Sequence, residues 1–260
     1  MSYWEEYLEP VKYTDDVYHI GARSGPCWLI KSTDGLILLD TGMPKHLYQI
    51  ILNIHKLGFS IYDVKHILHS HGHIDHVGGT RAIKELTGAK TYISEGDADM
   101  VRGANQLQWT NEFNMKYEEG FEPDVIIRDG DKITIGDKTF EFINCPGHTQ
   151  GTLTLFFNCT DKGKTYRAGM FGGAGLLSMR KCYLDKYNLP HTLRDEFIKS
   201  IDKTYNLVPD VHLGNHLGDN KHGEKLTKIG GDNNPFIDGT SWKWFLDKRK
   251  AEAIEFFKEN

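Results

Sequence analysis

The chain has 260 residues, of which 39% are hydrophobic and 26% are charged, as is usual for a globular protein of one or two domains. The net charge of −5 gives no electrostatic reason to expect nucleic acid as a partner. No apolar run approaches the ~18 residues that span a bilayer, and the acidic start is unlike a secretion signal. We therefore expect a cytoplasmic protein without membrane contact, or a periplasmic or secreted one if a leader was removed.

The first third of the chain alternates apolar runs typical of strands with segments whose apolar residues recur every three or four positions, as in helices. One helix has Pro44 in its first turn and Gly58 after its end, and a second helix ends at Gly88. The strands are predicted at residues 17–20, 27–31, 35–40, 64–68 and 91–93.

The sequence pattern in the second half of the chain predicts mainly strands. Gly130-Asp131 and Gly136-Asp137 are expected to form hairpin turns between them. Thr192, followed by Asp195, resembles the capping box that starts a helix. Since no repeat, low-complexity tract or linker interrupts the pattern, we predict a single domain over residues 1–260. The remaining elements are predicted as strands at 140–144, 151–157 and 165–168 and a terminal helix at 242–257.

Between residues 102 and 122, Trp109, Phe113, Tyr117 and Phe121 recur every four positions, which on a helix would form one aromatic stripe. Two interpretations fit this spacing. In the first, the stripe packs on the core. In the second, the segment is a mobile flap that covers a substrate, as active-site lids do, and Trp109, Phe113 and Tyr117 are then candidate residues of the substrate pocket.

The most informative motif is His71-Gly72-His73-Ile74-Asp75-His76, which places four metal-binding side chains directly after a predicted strand. In an extended segment alternate side chains point the same way, so His71 and His73 can hold one ion together. Where a helix begins, Asp75 and His76 turn to another side and can serve a second ion. Imidazole and carboxylate ligands suit zinc best, so the motif predicts two Zn²⁺ ions. The alternative is a solvated loop that happens to be rich in histidine.

Each ion needs a further ligand, which we expect from loops that follow other strands. The stretch Cys145-Pro146-Gly147-His148-Thr149 follows a predicted strand, and its turn residues expose the imidazole of His148. His216 lies beyond a strand among turn residues and is favoured over His212, which lies inside it. Asp40, at the end of its strand, is a candidate to orient a ligand histidine, the alternative being a turn-forming aspartate. The histidines without partners at ligand spacing are expected to be surface or packed residues: His19, His46, His55, His66 and His191.

Four motifs together resemble the metallo-β-lactamase superfamily: Asp40-Thr41-Gly42, the motif of residues 71–76, Pro146-Gly147-His148-Thr149, and His216, in this order. The resemblance extends over residues 15 to 257. It implies an α/β fold, the four-layer αββα sandwich, in which two mixed β-sheets are flanked by helices. The two zinc ions would lie at one edge, between the sheets.

Within that superfamily the ligand set is similar to the third subclass of metallo-β-lactamases. Many other members have a bridging aspartate where Met170 stands here, and methionine is a poor zinc ligand. Members of the third subclass have hydroxyl side chains at the positions of Met170 and Gly172, which hold water or a substrate carboxylate. These two residues are therefore candidate pocket residues that depart from the β-lactam pattern. The implied ligands are His71, His73 and His148 for one zinc, and Asp75, His76 and His216 for the other.

The resemblance implies a hydrolase in which a zinc-bound hydroxide attacks a carbonyl carbon and Asp75 orients that nucleophile. The leading hypothesis is the opening of a cyclic amide, with β-lactams as the small-molecule substrates and antibiotic resistance as the role this would imply. A second hypothesis keeps the site and changes the substrate to a lactone, thioester or other ester. A third is a metal-binding protein without hydrolytic activity. The sequence does not identify the native metal or the oligomeric state.

Overall fold

The computed structural model describes residues 7–103, 106–116 and 119–260. Within these residues two β-sheets pack face to face, and helices cover the outer face of each sheet. The arrangement confirms the predicted αββα sandwich. None of the described helices combines the length and the apolar character that crossing a bilayer requires.

The first sheet has seven strands that lie side by side in chain order: β1 (Val11–Lys12), β2 (Val17–His19), β3 (Trp28–Ser32), β4 (Gly35–Leu39), β5 (Val64–Leu68), β6 (Lys90–Ser94) and β7 (Val125–Ile127). Strands β1 to β4 are antiparallel to their neighbours, whereas β4 to β7 run parallel. Because neighbouring parallel strands end at the same edge of a sheet, the residues that follow β4, β5 and β6 come together there.

Helical crossovers connect the parallel strands. Gly58 and Gly88 end the two longer helices in the left-handed conformation, with φ of 82° and 71°, as the sequence predicted. The α-helices of this half are α1 (Leu47–Lys56), α2 (Ile74–Val77), α3 (Thr80–Thr87) and α4 (Ala98–Val101), and the 3₁₀ segments are Pro44–His46, Ile61–Asp63, Glu95–Asp97 and Gln106–Gln108.

The second sheet has five strands: β8 (Lys132–Ile135), β9 (Lys138–Asn144), β10 (Leu153–Asp161), β11 (Lys164–Phe171) and β12 (Val211–His212). Their spatial order is β12-β11-β10-β9-β8, and β11 pairs with β12 in parallel while the other pairs are antiparallel. The helices of this half are α5 (Lys181–Lys186), α6 (Leu193–Thr204), α7 (His222–Leu226) and α8 (Thr240–Glu259), with a 3₁₀ segment at Leu177–Met179.

Three apolar clusters hold the four layers together. Between the sheets, side chains such as Trp28 and Ile37 of the first sheet meet Phe142 and Leu155 of the second. Outside the first sheet, α1 and α3 pack on its other face. Outside the second sheet, α6 and α8 do the same through Phe197, Trp242 and their neighbours. The core between the sheets supports our single-domain interpretation, which stays a prediction.

One predicted hairpin turn is wrong, and the helix start predicted at Thr192 is right in position but lacks the expected capping hydrogen bond. Gly130-Asp131 does not join a hairpin, because the chain passes there from β7 in the first sheet to β8 in the second. Thr192 has a helical φ of −59° and forms no capping hydrogen bond through its side chain. Gly136 does lie in a hairpin turn, with a φ of 58° between β8 and β9.

Within the described residues between positions 102 and 122, the aromatic side chains do not form the single helical stripe that their spacing suggested. Trp109 and Asn114 have φ values of 70° and 51°, which a right-handed helix does not contain. Phe121 is buried beside β6, whereas Trp109 remains partly exposed, so the rings do not form one stripe. Tyr117 lies outside the described residues.

Candidate metal centre

The motif of residues 71–76 lies at the edge of the first sheet where β5 ends. His73 is still extended, with φ and ψ of −70° and 150°, and α2 begins at the next residue. The backbone therefore changes from strand-like to helical between the second histidine and Asp75. The change in backbone direction falls where the sequence predicted it, between the two halves of the motif.

Three histidine rings converge on the first side of the centre. The Nε2 atom of His148 lies 3.2 Å from Nε2 of His71 and 3.0 Å from Nδ1 of His73. The loop that contains His148 follows β9, so the second sheet supplies this side chain. The Nδ1–H group of His148 donates to the carbonyl of Gly175 over 2.7 Å, which leaves the lone pair of Nε2 facing the other two rings.

Burial keeps these three rings neutral. Burial, together with the neighbouring histidines, lowers the pKa of His71 and His73 well below its usual range. The pKa of His148 falls to about 4, chiefly through burial. Neutral imidazole is the form that binds a metal ion, so the protonation state of the cluster suits a cation.

Asp75, His76 and His216 form the second side of the centre. The Oδ2 atom of Asp75 lies 3.6 Å from Nε2 of His76 and 3.6 Å from Nε2 of His216. His71 joins both sides, since it also lies close to Asp75 and His76. The side chain of His76 is fully buried, whereas that of His216 is 42% exposed.

The proton of His76 is held on the side away from this centre. Its Nδ1–H group donates to Oδ2 of Asp40 over 2.8 Å, and its buried Nε2 has no hydrogen-bond partner within the described part of the chain. Burial opposes charge on this ring, but the carboxylates of Asp75 and Asp40 outweigh it and raise its pKa. A buried ring nitrogen that lacks a hydrogen-bond partner and lies beside a carboxylate is in the position expected of a metal ligand.

The residues present fit zinc. The ligand nitrogens of a tetrahedral zinc site with Zn–N bonds of about 2.0–2.1 Å lie roughly 3.3 Å apart. The separations of 3.0 and 3.2 Å between the ring nitrogens of the first side are close to that value. The two sides together supply nitrogen and carboxylate donors of the kind that zinc prefers.

Asp40 is placed to orient His76. Its side chain is fully buried, and it occupies the left-handed region with a φ of 61°. Its Oδ1 accepts from the backbone N–H of Ser70 and its Oδ2 from the Ser70 hydroxyl, at 2.8 and 2.7 Å. These contacts favour the predicted orienting role over a simple turn.

Trp109 and Phe113 lie in the wall of an open cavity of about 130 Å³ beside the candidate metal centre. The ring of Trp109 stacks at an angle on Tyr183 and contacts His73, with ring centroids 5.6 and 5.9 Å apart. No lysine or arginine belongs to the described part of this wall. Its lining residues are His73, Asp75, Trp109, Phe113, His148, Gly175, Leu177, Ser178 and His216.

Met170 and Gly172 do not belong to this wall, contrary to our expectation. The side chain of Met170 is completely buried in the core between the sheets, where its sulfur lies 3.8 Å from Nδ2 of Asn215. Gly172 is buried as well, and a Cβ atom there would lie 1.9 Å from the carbonyl oxygen of Leu153. The pleat of β11 and the close approach of β10 explain both positions.

Most of the other histidines lie where the sequence suggested. His19, His46 and His66 are buried, while His55 and His191 are exposed. His212 lies in β12 and packs against Trp242 and Phe245, away from the ligand cluster.

Two polar residues of the centre were missed. Ser70 precedes the motif and contacts Asp40, and Asp97 follows β6 at the same sheet edge. Each lies shortly after the end of a parallel strand, and this position in the sequence could have identified them as residues near the site.

A model of the metallo-β-lactamase superfamily matches residues 20–161, which is more than half of the chain. Among solved structures, BJP-1, a subclass B3 metallo-β-lactamase of Bradyrhizobium japonicum, is similar to this chain with a TM-score of 0.88 and 27% sequence identity. The match covers 98% of this chain and 96% of that one.

Two curated relatives align over shorter stretches. Hydroxyacylglutathione hydrolase of Rhodospirillum rubrum is 30% identical over 96 residues, which is 37% of this chain and 30% of that protein. Acyl-coenzyme A thioesterase of Bos taurus is 23% identical over 158 residues, covering 53% of this chain and 55% of that protein. The chain thus spans less than two thirds of the length of these relatives. On its fold, its ligand cluster and the family match, the chain belongs to the metallo-β-lactamase superfamily.

Proposed function

We propose that this chain is a di-zinc hydrolase that opens the cyclic amide of a β-lactam. The observation that carries the proposal is the convergence of His71, His73 and His148 on one side, beside a carboxylate of Asp75 that lies 3.6 Å from a ring nitrogen of His76 and 3.6 Å from one of His216. The likeness to a subclass B3 metallo-β-lactamase over 98% of the chain supports β-lactams as the first substrates to test.

His71, His73 and His148 would hold one zinc ion, and Asp75, His76 and His216 the other. When bound, zinc polarises a carbonyl group and makes water nucleophilic near neutral pH.

The protein's own groups prepare this site. The Gly175 carbonyl and the Asp40 carboxylate hold the protons of His148 and His76 on Nδ1, so that both Nε2 atoms stay free to bind. We assign to Asp75 the task of accepting a hydrogen bond from the attacking water. Trp109 and Phe113 form the apolar wall that would hold the body of the substrate and keep bulk water away.

The test is turnover of a chromogenic cephalosporin by the zinc-loaded protein. We expect hydrolysis by the wild type, and a loss of about 100-fold or more in kcat/KM together with lower zinc content in Asp75→Ala. Asp232→Ala, which changes an exposed aspartate, is the control and should behave as the wild type. Unchanged turnover in Asp75→Ala would refute the role of this carboxylate.

A thioester or other ester is the second candidate substrate. Many β-lactams carry a carboxylate, but the described wall of the cavity has no lysine or arginine to bind one. The resemblance to the third subclass implies hydroxyl side chains at two positions that are Met170 and Gly172 in this chain. The two curated relatives, whose names give a hydroxyacylglutathione hydrolase and an acyl-coenzyme A thioesterase, also favour this candidate.

A panel of one lactone, one S-acyl thioester and one cephalosporin, run at equal zinc loading, separates the two candidates. Selective turnover of the thioester or lactone would replace the first proposal with the second. Inactivity on the whole panel, in protein that holds two zinc ions, would contradict both and leave the metal-binding hypothesis.

A further inference from the structure

We infer that Asp97 is a positioning residue that fastens together the two loops carrying the histidines of the first zinc site. The inference rests on the zinc centre of the proposed function but not on the substrate. Asp97 ends the 3₁₀ segment after β6, and its side chain is fully buried. It touches neither the ligand nitrogens nor the cavity wall, so it would act only through the loops that it joins.

Both carboxylate oxygens of Asp97 accept hydrogen bonds from the ligand loops. Oδ2 accepts from the backbone N–H of Gly72, between His71 and His73, at 2.9 Å. The same oxygen accepts from the hydroxyl of Thr149, the residue after His148, at 2.7 Å. Oδ1 accepts from the backbone N–H of Gly151 at 2.8 Å. One side chain therefore bridges the loop of the first sheet and the loop of the second.

The backbone around Asp97 is built for this close approach. A Cβ atom on Gly151 would lie 2.1 Å from the hydroxyl oxygen of Ser94 and 2.5 Å from the backbone nitrogen of Asp97. A Cβ atom on Gly96 would lie 2.8 Å from the carbonyl oxygen of Gln150. Only glycine fits at both positions without a shift of the backbone, and the two loops meet there at contact distance.

A carboxylate is the side chain that these three donors require. Burial raises the pKa of Asp97, while the hydrogen bonds from Thr149, Gly72 and Gly151 oppose that rise. An asparagine has the same shape but only one acceptor oxygen. In Asp97→Asn the amide NH₂ group must therefore face at least one N–H donor, which would push the loops apart.

The test measures zinc affinity by competition with a chromophoric chelator, without any substrate. In Asp97→Asn we expect one of the two zinc sites to bind about 10–100-fold more weakly, as when a group that holds a ligand in place is lost. Co²⁺ substitution should show changed d–d bands for the three-histidine site, a change that a general loss of stability would not produce. Asp99→Asn, two residues away with a side chain that is 94% exposed, is the matched control.

A second pair of variants covers the case in which Asp97→Asn fails to fold. Thr149→Val removes one of the three donors, and Thr149→Ser keeps the hydroxyl group, so the serine variant should bind zinc more tightly than the valine variant. Equal zinc affinity in both variants, or wild-type affinity in a folded Asp97→Asn, would overturn the inference alone. If the wild type itself binds no zinc, both the inference about Asp97 and the proposed function fail.

Discussion

Asp40 joins the end of β4 to a ligand that lies 36 positions later in the chain. Its carboxylate accepts hydrogen bonds from the Nδ1–H group of His76 and from the backbone N–H and the hydroxyl of Ser70, so the ring of His76 has little freedom to rotate. The φ of 61° at Asp40 is one that aspartate and asparagine tolerate better than most residues. Backbone conformation and side-chain chemistry thus favour the same residue type here.

Asp40→Asn tests this arrangement without changing the shape of the side chain. An amide cannot accept from Ser70 and His76 with both of its terminal atoms, so we expect zinc binding at the second site to weaken by about 10–100-fold. Chelator competition measures the affinity. Asp40→Ala should lose in addition about 1–2 kcal/mol of unfolding free energy, because alanine is strained at this φ. Wild-type zinc affinity in Asp40→Asn would show that His76 does not need this partner.

At the scale of elements, the predictions succeeded where local chemistry decides the conformation. Gly58 and Gly88 mark helix ends because a left-handed residue is needed there, and neither would meet a neighbour if it carried a Cβ atom. The motif of residues 71–76 was readable for the same reason, since its ligands depend on one strand and one helix start. His148 and His216 were predicted from their positions after other strands, and the family resemblance supported the choice, because nothing local brings them to the motif.

The predictions that failed concern residues whose conformation or contacts are set by tertiary packing. The spacing of Trp109, Phe113 and Phe121 is helical, yet packing on Tyr183 and on the first sheet places the rings differently. Asp97 was missed because its three donors belong to loops that meet only in the folded molecule. Gly130 has an ordinary turn signal, but the turn leads from one sheet to the other rather than into a hairpin.

A matched pair of glycine substitutions tests the view that φ alone fixes the end of α3. Gly88→Ala should lower the free energy of unfolding by about 1 kcal/mol, because its φ of 71° strains alanine in otherwise open space. Gly223→Ala, inside α7 and equally open, should raise it by about 0.4–1 kcal/mol. Urea denaturation measures both. The idea fails if the two substitutions change stability in the same direction.

At the scale of the whole molecule, neutral histidines are buried in both sheets. Burial lowers the pKa of His19 in β2 and of His212 in β12 to about 3. The unfolded chain, with an ordinary value near 6.5, therefore binds more protons than the folded one between these two limits. The destabilising effect of these two histidines is therefore absent above about pH 6.5 and grows as the pH falls below that value.

We expect each of these two histidines to cost about 1.6 kcal/mol of unfolding free energy between pH 6.5 and pH 5, with a slope that approaches about 1.4 kcal/mol per pH unit at the lower end. Urea denaturation of the zinc-free protein across this range gives the slope. His19→Gln and His212→Gln should each flatten it, whatever they do to stability at pH 7. His55→Gln, at an exposed position, should leave the slope as it is, and an equal slope in all variants would contradict the prediction.

The proposed ligands differ in solvent exposure, and this difference affects how metal ions would bind to and leave the centre. His71 and His73 are buried and His148 is half-buried, whereas the side chain of His216 is 42% exposed and follows a strand of only two residues. In the proposed di-zinc centre, a rotation of the His216 ring would expose the second ion to solvent without moving the ligands of the first. We therefore expect the three-histidine site to bind its ion first and to exchange it slowly. The site at His216 should exchange its ion with solution more readily.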